Sequence, residues 1–145
     1  MHLTHFTDYG LRTLIFLALA PERLASIAEI ASAYDISESH MTKVVHALGQ
    51  AGLVETLRGR RGGLRLARPA AEIGIGTVVR KMEPELALVE CQAGHTCTIG
   101  GMCRLQTILD EAQNALLAVL DKYTLADVAN PNSRGLARRL GVGLP

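Results

Sequence analysis

The sequence predicts a mainly α-helical chain with one small β-hairpin: a winged helix-turn-helix domain followed by a long dimerisation helix. Apolar residues recur at helical spacing through most of the 145 residues. The one stretch with strand-like segments, 53–68, is broken in its middle by glycines. Hydrophobic residues make up 48% of the chain but aromatic residues only 3%, so the core is aliphatic and suits packed helices.

The first helix is expected to be the central helix of the domain, because it is nearly all apolar beyond Arg12. Thr7 or Asp8 is a suitable N-cap for it. The sequence Ser26-Ile27-Ala28-Glu29 has the pattern of a capping box, in which the Ser hydroxyl and the Glu carboxylate satisfy backbone donors. It predicts a short second helix.

A tight turn and an N-cap at Ser37 predict a third helix that ends near Gly52. Two short helices joined by a short turn form the helix-turn-helix pattern, here at about 26–51. Apolar residues at 3–4 spacing define the buried face of the third helix: Met41, Val44, Val45 and Leu48.

A β-hairpin, the wing, is predicted at about 53–68 from strands at Leu53–Arg58 and Leu64–Ala67. Gly59 and the Gly62-Gly63 pair are expected to supply the positive φ angles that its turn needs. Residues 58–68 include five arginines and no acidic residue, although the net charge of the whole chain is only +1. Local clustering of positive charge matters more than net charge for contacts with phosphates.

The third helix and the wing together predict double-stranded DNA as a partner. The second helix of a helix-turn-helix lies in the major groove, and arginines at a hairpin tip suit a narrow minor groove. An ordinary solvated face is the alternative for the helix, but the basic tip favours DNA. The candidate contacts are Ser37, Ser39, His40 and Lys43 on the helix and Arg58, Arg60 and Arg61 in the wing.

The DNA-binding domain is predicted to span residues 1–82 and to end in a small helix at 74–82. A cysteine loop follows at 83–103, and 104–130 hold a long amphipathic helix and a short C-terminal helix. The composition of 131–145 is typical of a poorly ordered tail.

Burial of the long helix against its copy in a homodimer is the simplest use of its apolar residues, and packing on its own domain is the alternative. These residues have close to heptad spacing: Leu105, Leu109, Ala112, Leu116 and Val119.

All three cysteines lie in this loop, with C-x5-C-x5-C spacing: Cys91, Cys97 and Cys103. An odd number of cysteines makes a poor disulfide framework and fits a reduced compartment. Iron–sulfur clusters are held by thiolates and accept another residue type as one ligand, whereas zinc sites use closer Cys pairs than any present here. The fourth ligand stays open between His95, Glu90, a carboxylate elsewhere and an external molecule. Structural cysteines and a thiol–disulfide switch are the alternatives to a metal centre.

The apolar run Leu14–Ala20 imitates the core of a signal peptide. However, residues 1–11 contain no Lys or Arg, and Asp8 has the wrong charge for that region. The run is also too short to span a bilayer. We therefore expect a soluble cytoplasmic protein without a membrane partner.

Four motifs occur in order along the chain: Leu3-Thr4-x-Phe6-Thr7-Asp8-Tyr9-Gly10-Leu11-Arg12, Arg58-Gly59-x-x-Gly62-Gly63-x-Arg65-Leu66, the cysteine loop, and Tyr123-Thr124-Leu125-Ala126-Asp127. Together they resemble the Rrf-type winged-helix iron–sulfur transcription regulators, and the resemblance runs from residue 1 to about residue 130. It is greatest to the nitric-oxide-responsive repressors of that family. It implies a homodimeric repressor that binds a palindromic operator while an iron–sulfur cluster is intact, and that leaves the operator when nitric oxide nitrosylates the cluster. A 4Fe–4S cluster is expected, with 2Fe–2S as the alternative.

The same resemblance implies roles for individual residues. The three cysteines are the thiolate ligands, Asp8 of the partner subunit is the fourth ligand, and Arg12 matches a DNA-contact region. Another branch of the family carries a histidine three residues after its last cysteine. This chain has Gln106 there, which favours nitric oxide as the signal.

Other functions remain as alternatives. One is an iron–sulfur, iron-status or thiol-redox regulator of the same family. Another is an iron–sulfur electron-transfer or carrier protein, for which the helix-turn-helix and the basic wing would be unexplained. No nucleophile–base pair typical of an enzyme is evident in the sequence, so we expect no enzymatic activity.

Overall fold

The computed structural model describes residues 2–94, 96–130 and 134–143. It confirms the predicted mainly α fold with one antiparallel two-stranded hairpin. Short 3-10 turns lie at Ala70–Glu72 and Glu90–Ala93. The helices and strands are α1 (His5–Leu19), α2 (Ile27–Tyr34), α3 (Glu38–Gln50), β1 (Val54–Leu57), β2 (Gly63–Leu66), α4 (Ile75–Met82), α5 (Arg104–Leu120), α6 (Leu125–Val128) and α7 (Arg134–Arg139).

The core of the domain surrounds α1, as its apolar sequence predicts. Leu14 and Phe16 are almost completely buried, and so are Leu17 and Leu19. Helices α2, α3, α4 and α6 and strand β2 all contact α1. A helix that is apolar on nearly every side is stable only when it is covered in this way.

The start of α1 lies earlier than predicted, because Thr4 rather than Thr7 or Asp8 is the N-cap. Thr4 has an extended backbone, with φ −62° and ψ 153°, and its hydroxyl accepts a hydrogen bond from the Thr7 amide at 3.3 Å. Thr7 is fully buried inside the first turn, and Asp8 belongs to the same turn. Thr4, Thr7 and Asp8 are all residue types that can act as an N-cap. The burial of Thr7 inside the first turn leaves Thr4 as the capping residue.

The helix-turn-helix follows the prediction with one difference. Ser26 accepts a hydrogen bond from the Glu29 amide at 3.1 Å, but the Glu29 carboxylate pairs with Arg23 and does not return to the cap. Ser37 caps α3 by accepting from the His40 amide at 3.3 Å. The predicted apolar face of α3 is buried: Met41, Val44, Val45 and Leu48.

The wing pairs Val54 with Leu66 and Leu57 with Gly63. The expectation that all three glycines adopt positive φ is wrong for two of them, because only Gly59 does so, with φ 109°. Gly62 is required for a different reason. A Cβ built on Gly62 would lie 2.2 Å from the Leu57 carbonyl oxygen, so a side chain there would collide with the backbone of the turn.

Backbone hydrogen bonds hold the segment directly after α5 against the domain. The Ile75 amide donates to the Tyr123 carbonyl at 2.9 Å, and the Leu125 amide donates to the Ile73 carbonyl at 2.8 Å. The Asp127 carboxylate accepts from the Thr124 amide at 2.7 Å and caps α6. The long helix is therefore fixed at one end, and its other end leads directly from the cysteine loop.

Part of the segment predicted to be a tail forms the helix α7. Ala137 and Val142 are buried in the core although the surrounding sequence is rich in arginine and glycine. Residues 131–133 and 144–145 lie outside the described residues. Among the described residues, no helix combines the length and the apolar character needed to cross a membrane.

Candidate DNA interface and cysteine site

The exposed face of α3 carries the polar side chains that the sequence assigns to DNA. Ser39, His40 and Lys43 are exposed, and none of their side chains forms a hydrogen bond or an ion pair with the described residues. Ser37 is also exposed, but its hydroxyl oxygen already accepts the His40 amide. It retains its own proton to donate.

The tip of the wing leaves three arginines unpaired. Arg58, Arg60 and Arg61 are exposed and form no hydrogen bond or ion pair within the described part of the chain. Arg65 differs, because its guanidinium pairs with Glu55 across the hairpin at 2.8 Å. The three unpaired guanidinium groups lie beyond the paired strands, so folding leaves them available for an external anion such as phosphate.

The three cysteines are free thiols. Within this loop, Cys91 lies in the 3-10 turn Glu90–Ala93 and is half-buried, Cys97 is exposed in an irregular segment, and Cys103 is half-buried just before α5. The described part of the loop thus presents its thiols from a turn, an irregular segment and a helix start. An α-helix would spread residues at this spacing around its axis instead of bringing them to one side.

Gln92 fixes the turn that carries Cys91. Its side-chain oxygen accepts from the Leu88 amide at 2.6 Å and from the Val89 amide at 3.2 Å. Its side-chain nitrogen donates to Asp110 on α5 at 2.7 Å. Sequence reasoning missed this residue, since nothing in the pattern distinguishes a glutamine that anchors a loop from one on the surface.

The donor chemistry of the loop fits an iron–sulfur cluster, which thiolates hold. Within residues 2–94, 96–130 and 134–143, no group of three or more His, Cys, Asp or Glu side chains is placed to share one metal ion. The three thiols are therefore not placed to share one metal ion within the described part of a single chain. His95, one of the alternatives for the fourth ligand, lies outside the described residues, and Glu90 is exposed next to Cys91.

Asp8 forms an ion pair with Arg12 one helical turn away, at 2.9 Å, and the two side chains are 40% and 44% exposed. The Arg12 guanidinium also lies 5.7 Å from the centre of the Tyr34 ring in α2, a cation–π arrangement. Burial raises the pKa of the Tyr34 hydroxyl to about 12, with Arg12 lowering it and Asp8 raising it by smaller amounts. Asp8 is thus linked to the helix-turn-helix through Arg12.

One face of α5 is apolar and exposed. Leu105 is 59% exposed, Ile108 56% and Val119 49%, and within α5 only Leu117 is buried. A groove of about 720 Å³ lies between α5, residues 83–88 and the N-terminal residues. The single chain therefore does not cover the predicted seam, which disfavours packing of α5 on its own domain.

Comparison with known proteins places these features in a family. Residues 3–131 match the family described as Rrf2, iron-dependent transcriptional regulator. The transcriptional regulator NsrR of Geobacillus kaustophilus is 53% identical over 131 residues, which are 88% of this chain and 89% of that protein. NsrR of Bacillus subtilis is 51% identical, with 88% of this chain and 90% of that protein covered.

Solved structures agree with the fold. CymR, the global cysteine regulator of B. subtilis, superposes with a TM-score of 0.73 at 28% identity, covering 89% of this chain and 96% of that one. IscR of T. potens superposes with a TM-score of 0.75 at 24% identity, covering 93% and 90%, and supports the fold only. The matched family and these relatives are transcriptional regulators and not enzymes. From the match over most of its length, the chain belongs to the Rrf2 family of iron-dependent transcriptional regulators.

Proposed function

We propose that this regulator is a nitric-oxide-responsive transcriptional repressor. It binds a palindromic operator as a homodimer while an iron–sulfur cluster, 4Fe–4S rather than 2Fe–2S, is bound, and it leaves the operator when nitric oxide reacts with that cluster. One observation carries the proposal: three free thiols share a loop in a chain whose wing has an unpaired basic tip. The sequence resemblance to nitric-oxide-responsive repressors, and about half-identity to NsrR regulators, support the signal.

On DNA, the exposed face of α3 enters the major groove and the wing reaches the minor groove. Ser37, Ser39, His40 and Lys43 contact base edges and phosphates from the helix, and Arg58, Arg60 and Arg61 act from the wing. Arg12 is paired with Asp8 in this structure. It serves as a DNA contact in the state in which Asp8 is engaged elsewhere.

At the sensor site, the thiolates of Cys91, Cys97 and Cys103 hold the cluster together with Asp8 of the partner subunit. When bound, the cluster supplies iron with which nitric oxide can react. Asp8 then joins α1 of one subunit to the cysteine loop of the other, which fixes the separation of the two recognition helices. The nitric-oxide response then equals the difference in DNA affinity between the dimer in which Asp8 is joined to the partner's cysteine loop and the dimer in which it is not. A ligand can shift DNA affinity only by such a difference.

The homodimer is supported by the uncovered apolar face of α5. Its Leu, Ile and Val side chains have the spacing of a helix–helix seam. Since α5 follows the cysteine loop directly, pairing of two α5 helices brings each loop close to the other subunit. In this arrangement the ligands of one cluster come from two subunits, so they are not expected to lie together in a single chain.

The test is operator binding by protein purified anaerobically, with and without nitric oxide. The operator is selected by that protein from a library of random duplexes. We expect iron and sulfide in the protein, tight binding to a two-fold symmetric sequence, and loss of specific binding after nitric oxide. Iron-free protein from strict anaerobic preparation would contradict the cluster.

A thiol-redox regulator gives a different result in the same experiment. Its DNA binding would change with peroxide and be restored by a thiol reductant, in protein that contains no iron and ignores nitric oxide. An electron-transfer or carrier protein would contain the cluster but select no operator sequence.

A further inference from the structure

Four consecutive residues at the end of α4, Arg80–Glu83, contact three different helices. Arg80 donates two hydrogen bonds to the Asp121 carboxylate at the end of α5, both at 2.6 Å. The Lys81 ammonium donates to the carbonyl of Ala51 at 2.6 Å. Ala51 is the C-cap residue of the recognition helix α3.

The next two residues contact α1. Met82 is buried against Gly10, where an added Cβ would lie 2.9 Å from the end of the Met82 side chain. One oxygen of the Glu83 carboxylate accepts from the Thr7 hydroxyl at 2.6 Å, the Thr4 hydroxyl at 3.2 Å and the Thr4 amide at 3.1 Å.

The charges of these contacts complement the helix ends that they meet. The Glu83 carboxylate lies at the positive, N-terminal end of the α1 dipole, and the Lys81 ammonium lies at the negative, C-terminal end of the α3 dipole. Each also forms hydrogen bonds with backbone or capping groups at that helix end. The Glu83 amide is itself bonded to the Val79 carbonyl at 2.8 Å. The four residues therefore form the last turn of α4 and its C-cap, so one short segment makes all of these contacts.

From this geometry we infer that Arg80–Glu83 is a coupling junction, in which Glu83 sets the start of the Asp8-bearing helix and Lys81 transmits its position to the end of the recognition helix. The signal that uses the junction rests on the proposed function. The proposed mechanical coupling does not, because the contacts that would transmit it are present in the chain without a cluster. Both are positioning residues: neither needs to touch the cluster or a base.

The coupling is tested in cluster-free protein by amide hydrogen exchange of Glu83→Gln. We expect exchange to rise by about threefold or more, a local-opening effect, both at Thr7 and at the end of α3, where the Ala51 and Leu53 amides donate to carbonyls within α3. Glu85→Gln is the matched control, since Glu85 is exposed and forms no hydrogen bond or ion pair with the described residues. An increase confined to the start of α1 would overturn the junction.

A second variant protects this test against simple misfolding. Thr7→Val keeps the shape of the side chain and removes the shortest bond to Glu83. If Glu83→Gln fails to fold, Thr7→Val is expected to raise exchange at the same two places. If it leaves the end of α3 unchanged, the junction is wrong.

The signalling role is tested by operator affinity of Lys81→Met with and without the cluster. We expect the cluster-bound protein to lose about tenfold in affinity, within the usual range of allosteric coupling, with the cluster-free protein and the salt slope unchanged. Lys81→Arg should restore most of the loss. Lys122→Met is the matched control, because Lys122 is exposed and forms no side-chain bond with the described residues.

Each contrary outcome has its own meaning. If Lys81→Met loses operator affinity equally with and without the cluster, and its salt slope is smaller by about one, then Lys81 is a phosphate contact. That result would overturn its role in the junction. If the wild-type protein binds the operator equally well with and without its cluster, the proposed function fails. The hydrogen-exchange experiment then still decides whether the two helix ends are coupled.

Discussion

Asp8 shows how one residue can hold a helix turn and remain available to a second partner. Its ion pair with Arg12 is two-fifths exposed, and helix pairs of this spacing are worth only about 0.3–0.5 kcal/mol. A ligand that binds the carboxylate more strongly can therefore displace Arg12 at little cost. The guanidinium released from Asp8 would keep its position 5.7 Å from the centre of the Tyr34 ring.

Asp8→Ala is expected to alter the absorbance spectrum of the cluster and to weaken the response to nitric oxide, while the free energy of unfolding of the cluster-free protein changes by less than about 0.5 kcal/mol. Absorbance and denaturant unfolding measure the two effects. Glu22→Gln is the control, since Glu22 is exposed on the loop after α1. A variant with the wild-type spectrum and response would remove Asp8 from the ligand set.

The Tyr34 hydroxyl should lose its proton at a higher pH than an ordinary tyrosine. Its pKa is raised from 10.0 to about 12, chiefly by burial, so the folded chain holds this proton more tightly than the unfolded chain. The resulting stabilisation is complete below pH 10 and is lost as the pH rises towards 12. Ultraviolet titration should show a tyrosinate step near the upper value that is missing in Tyr34→Phe. A step that persists in this variant would belong to another tyrosine.

At the scale of elements, α3 and the wing owe their exposed chemistry to what the fold buries beneath them. The four apolar residues of α3 are buried in the core, which leaves the opposite face of the helix in solvent. In the hairpin, the Glu55–Arg65 ion pair leaves these two strand residues with no net charge. The positive charge of the wing is therefore concentrated at its tip. The element boundaries were largely predictable, because each depends on local periodicity and on neighbouring caps.

Arg60→Ala and Lys43→Ala should each weaken operator binding and reduce the salt slope by about one, as expected for loss of one phosphate contact. Fluorescence anisotropy at several salt concentrations measures both. Arg65→Ala is the matched control from the same hairpin, because Arg65 is already paired and should change the slope less. Unchanged affinity and slope in both test variants would refute this DNA surface.

For the molecule as a whole, the central question is how two chains would together form the proposed sensor site. The C-terminal end of α5 is tied to α4 by the Arg80–Asp121 pair, whose hydrogen bonding holds the pKa of Asp121 below its ordinary value and that of Arg80 above it. At the N-terminal end of α5, the N-cap residue is Cys103. A dimer formed through α5 would therefore connect each DNA-binding domain to the partner's loop.

Leu116→Glu should convert the dimer to a monomer, because it places a charge in the apolar seam of α5. Sedimentation velocity measures the change, and circular dichroism checks that the helices remain. Thr107→Glu is the control, since Thr107 is exposed on the opposite face of α5. If Leu116→Glu remains a folded dimer, the interface lies elsewhere.

The sequence by itself determined the elements and the chemistry they carry. Periodicity defined the buried face of α3, and composition defined the basic wing and the thiol loop, because each is encoded within a few neighbouring residues. Only the tertiary structure decided that Thr4 caps α1, that Gly62 is needed for close approach, and that Ala137 is buried. It also decided the contacts of Lys81 and Glu83, which join residues 30 and 76–79 positions apart. Such contacts have no local pattern, because the free energy that selects them comes from packing between distant segments.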